Sequence, residues 1–484
     1  MPTYQSNKQM INVCTLPSDH VPKYQPIKLL PHQTHLLQNL SDEKFPIYIC
    51  WSMGSGKTIG ACMCMSILNS KSNILIICDK STLTQWKLEV EKLFDRNYSY
   101  FNQLSVVIIH YEFLENENTP LPKNFEMVIV DESHRFRNAW SKESVRMINW
   151  MKMIHQCEKI IFLSGTPIIH DSTSERKAFD IMMKNTRLDG RVFFYDPRQD
   201  PKSEKKYPKV SESEVYCAMS WAQCFVYFQN KTQKFILHLD GEAQPRIRIS
   251  SSKNTYNTLL RSICNNPFPQ NPEQSPKFQK ILEMLQSNNS MNKKQIVYSC
   301  RKDTGVKSLQ LLWNASKKEI SYQITGEMSQ EDRAKNIAQF NRKPKSVLFI
   351  TDAGGQGIDL KRVDIVHIME PAENIQDEKQ IMNRAIRYKS HSNPSESEVK
   401  VLRYISIFPE NGNVKPPWKN VIYKSGLFDK SEMKGISRSV QYALKMLIKQ
   451  DDYMTIDQKV VKCRNEREIE IQNEIQNLKK FHPQ

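Results

Sequence analysis

Short apolar runs alternate with helical segments twice along the chain. In the first half these runs occupy residues 47–50, 73–78, 106–109, 127–130 and 160–163. In the second half they occupy residues 295–299, 320–324, 346–350, 364–369 and 400–405. Continuous apolar runs of this length are typical of parallel strands that are covered on both faces, and alternation with helices is typical of α/β domains. The pattern therefore predicts two tandem parallel-sheet α/β domains.

A proline-rich stretch separates the two sets of runs. Residues 265–276 contain four prolines in twelve positions, which is typical of a stiff linker. Charges and apolar residues alternate at helical spacing from Asn465 to Lys480, which predicts a C-terminal helix. The predicted organisation is an N-terminal domain at 1–264 with a helical insertion at about 170–264, a linker at 265–276, a C-terminal domain at 277–435 and a helical extension at 436–484.

The residues after the first apolar run have the composition of a phosphate-binding loop. Trp51-Ser52-Met53-Gly54-Ser55-Gly56-Lys57-Thr58 lies between a predicted strand and a predicted helix. Backbone N–H groups of such a loop, here Met53 to Gly56, close around phosphate oxygens at the helix N-terminus. Lys57 would reach the β- and γ-phosphates, and the Thr58 hydroxyl would hold Mg²⁺. The alternative is a glycine turn with a surface lysine, and Trp51 departs from the glycine that usually opens the pattern.

An acidic pair follows the fourth apolar run. Asp131 and Glu132 come directly after residues 127–130, about 75 residues downstream of Lys57. A carboxylate at the C-terminal end of a parallel strand lies at the sheet edge where ligands bind. Asp131 could hold Mg²⁺ through water, and Glu132 could orient and deprotonate an attacking water. An acidic cap on the next helix is the alternative. The upstream loop favours the catalytic interpretation.

The composition of the chain indicates a class of binding partner and a cellular compartment. The chain has 484 residues, a formal net charge of +17 and 39% hydrophobic residues, so two or three domains and a polyanionic partner are expected. No apolar run reaches 18 residues and residues 1–20 are polar, so we expect neither a membrane span nor a signal peptide. Eleven cysteines without a Cys-x-x-Cys pair favour the reducing cytoplasm and no structural zinc.

Further short segments recur in a recognisable order. In the first half these are Leu30-Pro31-His32-Gln33, Asp79 to Trp86, His110-Tyr111-Glu112, Asp131 to His134 and Leu163 to Pro167. In the second half they are Tyr298-Ser299-Cys300, Thr351 to Leu360 and Gln380 to Arg387. Together with the phosphate loop, and over residues 26–410, the series resembles superfamily 2 helicases and translocases, especially the Swi/Snf-like branch. Asn383 stands where the family has glycine, which puts the local backbone in question.

The resemblance implies two RecA-like domains with an ATP cleft between them and a role for each motif. Gln33 would contact adenine, and Gly357 and Asp359 would also contribute to nucleotide binding. Arg384 and Arg387 would act as arginine fingers that stabilise charge on the γ-phosphate when the domains close. Nucleic-acid phosphates would meet a set of polar side chains from both domains: Lys80, Ser81, Arg301, Lys302 and Thr351. The expected cofactors are ATP and Mg²⁺, and the expected partner is double-stranded DNA.

Other segments resemble a narrower group. Tyr195-Asp196-Pro197-Arg198, Tyr207-Pro208, Met219 to Gln223 and Arg384 to His391 resemble the nucleoside triphosphatase I and early transcription factor helicases of large cytoplasmic DNA viruses and linear plasmids. This resemblance implies a role in viral or plasmid transcription, RNA polymerase or transcription factors as partners, and a location in host cytoplasm or virion.

Three other functions stay open from the sequence. A strand-separating RNA or DNA helicase would use the same ATP site. A non-catalytic ATP-binding scaffold belongs to a different class, and Lys57, Asp131, Glu132, Arg384 and Arg387 argue against it. A simple P-loop kinase is disfavoured by the second set of strands.

Overall fold

The chain divides into two compact units. The first unit comprises Met1–Glu204 and Arg467–Gln484, and the second comprises Lys205–Glu466. The computed structural model describes residues 11–13, 29–40, 45–52, 54–65, 73–96, 105–115, 124–136, 145–167, 172–196, 200, 207–231, 253–268, 270–316, 320–351, 358, 360–373, 375–386, 390–409 and 454–480.

A seven-stranded sheet forms the centre of the first unit, in the order β1-β4-β3-β5-β6-β2-β7. Its strands are β1 Ile11–Val13, β2 Ile47–Trp51, β3 Asn73–Cys78, β4 Ser105–His110, β5 Met127–Val130, β6 Lys159–Leu163 and β7 Val192–Tyr195. All neighbouring strands are parallel except β1, which runs antiparallel to β4. Every residue of β2 and β5 is buried, as expected for strands with helices on both faces.

Among the described residues, six helices of the first unit precede the second sheet in sequence. They are α1 Pro31–Gln38, α2 Lys57–Cys64, α3 Leu83–Arg96, α4 Tyr111–Glu115, α5 Val145–Ile154 and α6 Ser172–Met182. Two apolar clusters cover the two faces of the sheet. Trp51 and Trp86 belong to one cluster, whereas Tyr111 and Trp150 belong to the other.

The second unit is built on a six-stranded parallel sheet in the order β10-β11-β9-β12-β13-β8. Its strands are β8 Lys209–Ala218, β9 Gln295–Tyr298, β10 Ser321–Ile324, β11 Val347–Ile350, β12 Ile365–Ile368 and β13 Glu398–Ile407. Its helices are α7 Trp221–Lys231, α8 Lys253–Asn265, α9 Pro276–Ser290, α10 Ser308–Ala315, α11 Gln330–Arg342 and α12 Ile375–Ala385.

The last helix, α13, spans Ile456–Lys479. Its residues up to Glu466 are assigned to the second unit, and the remainder are assigned to the first. Within the second unit, Asp457 at the start of α13 forms a buried ion pair with Lys277 at 2.7 Å. Within the first unit, Glu474 pairs with Arg176 at 2.7 Å. Across the ranges described above, no helix is both long and apolar enough to cross a membrane.

The predicted fold class, two parallel-sheet α/β domains with a helical C-terminal segment, is confirmed. All ten predicted strands are present, and their bounds differ from the predicted ones by at most two residues. The division of the chain differs from the expected boundary at 265–276, because the contacts divide it at Glu204/Lys205. The reason is β8, which pairs with β13 along its whole length and so belongs to the second sheet. The prolines of 265–276 therefore lie inside the second unit, where Pro272 and Pro276 begin helical turns.

Candidate active site

A tight turn leads from β2 into α2. Gly54 and Gly56 adopt φ values of +79° and +84°, a left-handed conformation that favours glycine. A Cβ atom on Gly56 would lie 2.7 Å from the Gln33 side-chain nitrogen, so the loop also lacks room for a side chain there. Lys57 begins α2, and its Nζ donates to the Trp51 carbonyl at 3.0 Å. The strand, glycine turn and helix are therefore arranged as a phosphate cradle requires, while Met53 lies outside the described residues.

Helix α1 lies against this loop. The Gln33 Nε2 donates to the Gly56 carbonyl at 3.3 Å, and the Gln33 Oε1 accepts from Leu30 N at 2.9 Å. The His32 Nε2 is 2.9 Å from the Ser55 carbonyl, and the His32 ring stacks on Tyr195 at a centroid distance of 3.6 Å. Burial lowers the pKa of His32, which favours the neutral ring, whereas the hydrogen bond to the Ser55 carbonyl acts in the opposite direction. Gln33 is thus fixed beside the phosphate loop.

Trp51 is a core residue beneath α2. Its side chain is 1% exposed, and a Cβ atom built on Gly60 would lie 2.6 Å from Trp51 Cζ3. Glycine at position 60 therefore makes room for the indole one turn into the helix. The departure of Trp51 from the usual glycine is accommodated by packing, and the lysine-bearing turn keeps its shape.

The acidic pair lies at the carboxyl end of β5. The Asp131 Oδ2 accepts from Trp86 Nε1 at 2.8 Å, and its Oδ1 accepts from Glu132 N at 3.0 Å. Burial and the neighbouring Glu132 charge raise the pKa of Asp131 to about 7, whereas the Trp86 hydrogen bond and the Lys57 ammonium act in the opposite direction. Lys57, in the helix that follows β2, and Asp131, directly after β5, both lie at the carboxyl edge of the first sheet. This site would be stabilised by a bound cation.

These groups fit a Mg²⁺ ion. Asp131 is a buried carboxylate whose negative charge is poorly compensated, and Thr58 lies half-buried in the first turn of α2. Oxygen ligands of this kind, completed by water and substrate phosphates, are what Mg²⁺ prefers. Within the described ranges, no group of three or more His, Cys, Asp or Glu residues could hold a metal ion. The ten described cysteines are unpaired, and Cys62 and Cys64 are buried.

Glu132 occupies a strained backbone position. Its φ is +48°, which is unusual for a residue other than glycine. The Tyr111 hydroxyl is 2.6 Å from the Asp131 carbonyl and 3.3 Å from the Glu132 carbonyl, and can donate to either. On the other side, His134 Nδ1 lies 3.0 Å from Ser164 Oγ and 3.3 Å from the Glu132 carboxylate. The acidic segment is therefore held by Trp86, Tyr111 and Ser164, which come from three other parts of the first unit.

The predicted nucleic-acid residues of the first unit follow β3. Lys80 is exposed and pairs with the exposed Glu112 carboxylate at 3.2 Å. Ser81 lies in the same 3₁₀ turn, Lys80–Thr82. Asp79, just before this turn, forms an ion pair with Arg135. Lys80 is therefore placed at the carboxyl edge of the sheet, where it can be reached from solvent.

The predicted nucleic-acid residues of the second unit lie at the carboxyl edge of the second sheet. Arg301 and Lys302 follow β9, and Lys302 pairs with the exposed Glu327 carboxylate. Thr351 follows β11 but is only 8% exposed, so little of its side chain is available for a phosphate. The buried Glu370 accepts from Ser299 Oγ at 2.8 Å and from Cys300 N at 2.7 Å, and this fixes the turn before Arg301.

Helix α12 carries the predicted arginine motif. Arg384 is half-buried near its end, and Asn383 is 9% exposed. Glu378 in the same helix is fully buried and accepts from Arg403 Nε at 2.7 Å and from Arg464 Nη1 at 2.5 Å. Arg387, Gly357 and Asp359 lie outside the described residues.

The sequence placed Trp86 and Tyr111 in motif segments and did not single out Glu378, and the contacts of all three residues were not predicted. Trp86, Tyr111 and Glu378 all hold a predicted functional segment in place. Trp86 and Tyr111 each combine an apolar body with one polar atom, which is a signal that such a residue has a buried hydrogen-bond partner. The partner itself depends on tertiary structure.

A phosphate cradle and an acidic pair on one parallel-sheet unit, followed by a second such unit, define a protein of the two-domain P-loop class. The family model "Type III restriction enzyme, res subunit" matches residues 26–169. The model "Helicase conserved C-terminal domain" matches residues 276–389. The chain belongs to superfamily 2 of the helicases and translocases.

Relatives come from viruses and from chromatin remodelling enzymes. A protein of Acanthamoeba polyphaga mimivirus, named as a candidate ATP-dependent RNA helicase, is 27% identical over 79% of this chain and 90% of its own length. The Schizosaccharomyces pombe SWI/SNF chromatin-remodeling complex subunit snf22 is 24% identical over 73% of this chain and 25% of its own length. The Saccharomyces cerevisiae ISWI chromatin-remodeling complex ATPase is 24% identical over 80% of this chain and 39% of its own length. The chain thus spans well under half of these remodelling relatives.

Among solved structures, the Sulfolobus solfataricus SWI2/SNF2 ATPase core in complex with double-stranded DNA is similar. The sequences are 16% identical, the match covers 85% of this chain and 93% of that chain, and the TM-score is 0.32.

Proposed function

We propose that this protein is a DNA-dependent ATPase that moves along double-stranded DNA. The observation that supports the proposal best is the placement of the phosphate loop and the acidic pair at the carboxyl edge of one parallel sheet. The left-handed glycine turn after β2 begins a helix, and the buried Asp131 carboxylate follows β5, which is separated from β2 only by β6. This is the arrangement needed for phosphoryl transfer from a nucleoside triphosphate to water.

Each residue of the site has a proposed role. Lys57 binds the β- and γ-phosphates of ATP, and the loop N–H groups at Gly54 to Gly56 cradle them. Thr58 and Asp131 would hold Mg²⁺, which would neutralise charge on the phosphates. Glu132 orients the attacking water and accepts its proton. His134, which contacts both Ser164 Oγ and the Glu132 carboxylate, holds that carboxylate in place.

The second unit is proposed to complete the catalytic site. Arg384 and Arg387 would stabilise negative charge on the γ-phosphate, with Gly357 and Asp359 contributing to nucleotide binding. This proposal is supported by the helicase C-terminal model, which covers residues 276–389 and so includes all four positions. Closure of the two units over ATP, and reopening after phosphate release, would convert hydrolysis into movement along the nucleic acid.

The substrate is proposed to be duplex DNA. The net charge of +17 suits a polyanion, and the names of the remodelling relatives place them on chromatin. Contacts through Lys80, Ser81, Arg301, Lys302 and Thr351 would be made mainly with phosphates, which carry no sequence information. A partner such as RNA polymerase or a transcription factor would then supply the target. The proposed setting is viral transcription in the cytoplasm, and the comparisons add only that one relative is viral.

RNA is the second candidate substrate. The mimivirus relative is named for RNA, and this chain covers 90% of it. ATP turnover measured without nucleic acid and with single-stranded DNA, duplex DNA, single-stranded RNA and duplex RNA separates the two. Strongest stimulation by duplex DNA supports our proposal, and strongest stimulation by RNA replaces it with an RNA-dependent activity.

Glu132→Gln tests hydrolysis at this site. The variant should retain ATP binding while turnover falls by about 10²-fold or more, because general-base assistance is lost. Glu126→Gln is the control, since Glu126 is an exposed carboxylate at the opposite end of β5. Wild-type turnover in Glu132→Gln would refute the assignment. Absence of turnover in the wild type with every nucleic acid would favour a non-catalytic scaffold.

Movement along DNA and strand separation are tested with different nucleic-acid substrates. A translocase displaces the third strand of a triplex without melting the underlying duplex. A strand-separating helicase releases a labelled strand from a forked duplex. We expect ATP-dependent triplex displacement and no release from the fork, and release from the fork would make strand separation the function.

A further inference from the structure

Two buried aromatic side chains donate hydrogen bonds to the acidic pair. Trp86 Nε1 donates to the Asp131 carboxylate at 2.8 Å, and the Tyr111 hydroxyl donates to the Asp131 main-chain carbonyl at 2.6 Å. Trp86 is 1% exposed and Tyr111 is 2% exposed, so water does not compete for these bonds. Their polar atoms meet the side chain and the backbone of the same residue. The side chain and the backbone of Asp131 are therefore both held by buried hydrogen-bond donors.

The two aromatic residues lie in elements next to the proposed nucleic-acid contact of the first unit. Trp86 lies in α3, which begins directly after the Lys80–Thr82 turn. Tyr111 begins α4, and its neighbour Glu112 is the ion-pair partner of Lys80. Helix α3 thus follows the turn with the exposed Lys80, and α4 carries its exposed partner Glu112. Each helix also has one buried donor that reaches Asp131. A displacement of either element would change the position of the acidic pair.

A third connection runs between the same elements. Arg135, two residues after Ser133, pairs with Asp79 just before the Lys80 turn. The Arg135 guanidinium also lies over the Tyr111 ring, 4.6 Å from its centroid. The segment that follows Glu132 is thereby tied to both aromatic-bearing elements.

The hydrogen bond from Tyr111 matters because the backbone at Glu132 is strained. A non-glycine residue at φ +48° keeps that conformation only when its surroundings hold it. The Tyr111 hydroxyl lies within hydrogen-bonding distance of the carbonyls of both Asp131 and Glu132, 2.6 Å and 3.3 Å away, which flank this strained position. Loss of the hydroxyl would allow the peptide to relax and would move the Glu132 carboxylate.

From this geometry we infer that Trp86 and Tyr111 are positioning residues that couple the nucleic-acid-facing elements to the ATPase carboxylates. The inference rests on the proposed function, because it assumes that Asp131 holds Mg²⁺ and that nucleic acid contacts Lys80. Trp86 acts on the orientation of the Asp131 carboxylate. Tyr111 acts on the backbone that aims Glu132.

The test removes each donor while keeping an aromatic side chain. Trp86→Phe should raise the Mg²⁺ concentration for half-maximal binding of a fluorescent non-hydrolysable ATP analogue by about tenfold, the usual scale for lost support of a metal ligand. Tyr111→Phe should leave that Mg²⁺ requirement unchanged and lower kcat by about tenfold at constant KM for ATP. In both variants, the ratio of turnover with and without duplex DNA should fall.

Matched controls lie in equally buried places. Trp313 is 1% exposed in the second unit, so Trp313→Phe removes the same volume of buried indole away from the site. Tyr404 is buried in the second unit and shares a hydrogen bond with His367 at 2.8 Å, so Tyr404→Phe is the control for the tyrosine. Neither control should change the Mg²⁺ requirement or the stimulation ratio.

The outcomes separate this inference from the proposed function. If Trp86→Phe and Tyr111→Phe behave like their controls in all three measurements, the inference is wrong. If the wild type is not stimulated by nucleic acid, DNA dependence fails, and the Mg²⁺-dependent binding and the kcat still decide whether the two residues position the carboxylates. If Trp86→Phe unfolds, benzothienylalanine at position 86 keeps the shape of the indole without its N–H donor. The same tenfold rise then supports the inference, and an unchanged Mg²⁺ requirement overturns it.

Discussion

Alanine at position 60 should be tolerated only when Trp51 is made smaller. The added Cβ would lie 2.6 Å from Trp51 Cζ3 and 2.9 Å from Cη2, well inside ordinary van der Waals contact. Trp51 is 1% exposed and ends a central strand, so it has little space into which it can move. The added methyl group should therefore push α2 away from β2, and with it the Lys57 ammonium.

Two opposing effects set the size of the change. Overpacking a core position costs about 1–3 kcal/mol, and replacing glycine by alanine inside a helix gains about 1 kcal/mol. Gly60→Ala alone should therefore lower the free energy of unfolding by about 0–2 kcal/mol. When Trp51 is replaced by leucine the clash is removed, and Gly60→Ala should instead stabilise by about 1 kcal/mol. The coupling between the two positions is thus expected at about 1–3 kcal/mol.

A double-mutant cycle measures this coupling. The wild type, Gly60→Ala, Trp51→Leu and the double variant are compared by hydrogen exchange of the β2 backbone, which reports on the first unit alone. ATP affinity is measured in parallel, because the Trp51 carbonyl accepts the Lys57 hydrogen bond. Gly60→Ala should weaken ATP binding when Trp51 is present and weaken it less in the Trp51→Leu variant. Equal effects of Gly60→Ala in both backgrounds would refute the packing argument for Trp51.

Three further predictions concern both units. Lys277→Met should destabilise the second unit by about 3–5 kcal/mol in urea unfolding, because it leaves the buried Asp457 carboxylate without its cation, while the double variant with Asp457→Leu should recover most of the loss. Arg387→Ala should remove most turnover yet keep ATP affinity within about tenfold, because an arginine finger acts mainly in the transition state; intact turnover would end the motor interpretation. DNA affinity should fall by roughly 10²-fold or more between about 50 and 200 mM salt, and a flat response would contradict phosphate-dominated binding.

The strands that could be predicted are those with continuous apolar runs. β3 and β5 are buried on both faces, so their sequences Asn-Ile-Leu-Ile-Ile-Cys and Met-Val-Ile-Val carry the signal directly. β8 has the sequence Lys-Val-Ser-Glu-Ser-Glu-Val-Tyr-Cys-Ala and lies at a sheet edge, where most of its side chains meet solvent. Its polar composition hides the strand, and its membership of the second sheet depends on a partner far away in sequence. That is why the boundary expected at 265–276 differs from the division at Glu204/Lys205.

The phosphate loop and the acidic pair could be predicted because each is a contiguous motif at the end of a strand. The hydrogen bonds that hold them could not, because Trp86 and Asp131 are 45 residues apart and meet only through the strand order. The role of Gly60 was hidden for the same reason, since it depends on the indole of Trp51 below the helix.

The pairing of β8 with β13 has a consequence during synthesis. Glu212 of β8 and Arg403 of β13 form an ion pair although they are 191 residues apart in the chain. As the chain leaves the ribosome, β8 emerges long before the strand that will hydrogen-bond with it. Before β13 has been synthesised, the serines and glutamates of β8 keep this segment hydrated and disfavour its pairing with other exposed strand edges. A recombinant fragment of the second unit must therefore begin near Lys205, because one that begins at 277 would leave the edge of β13 open to aggregation.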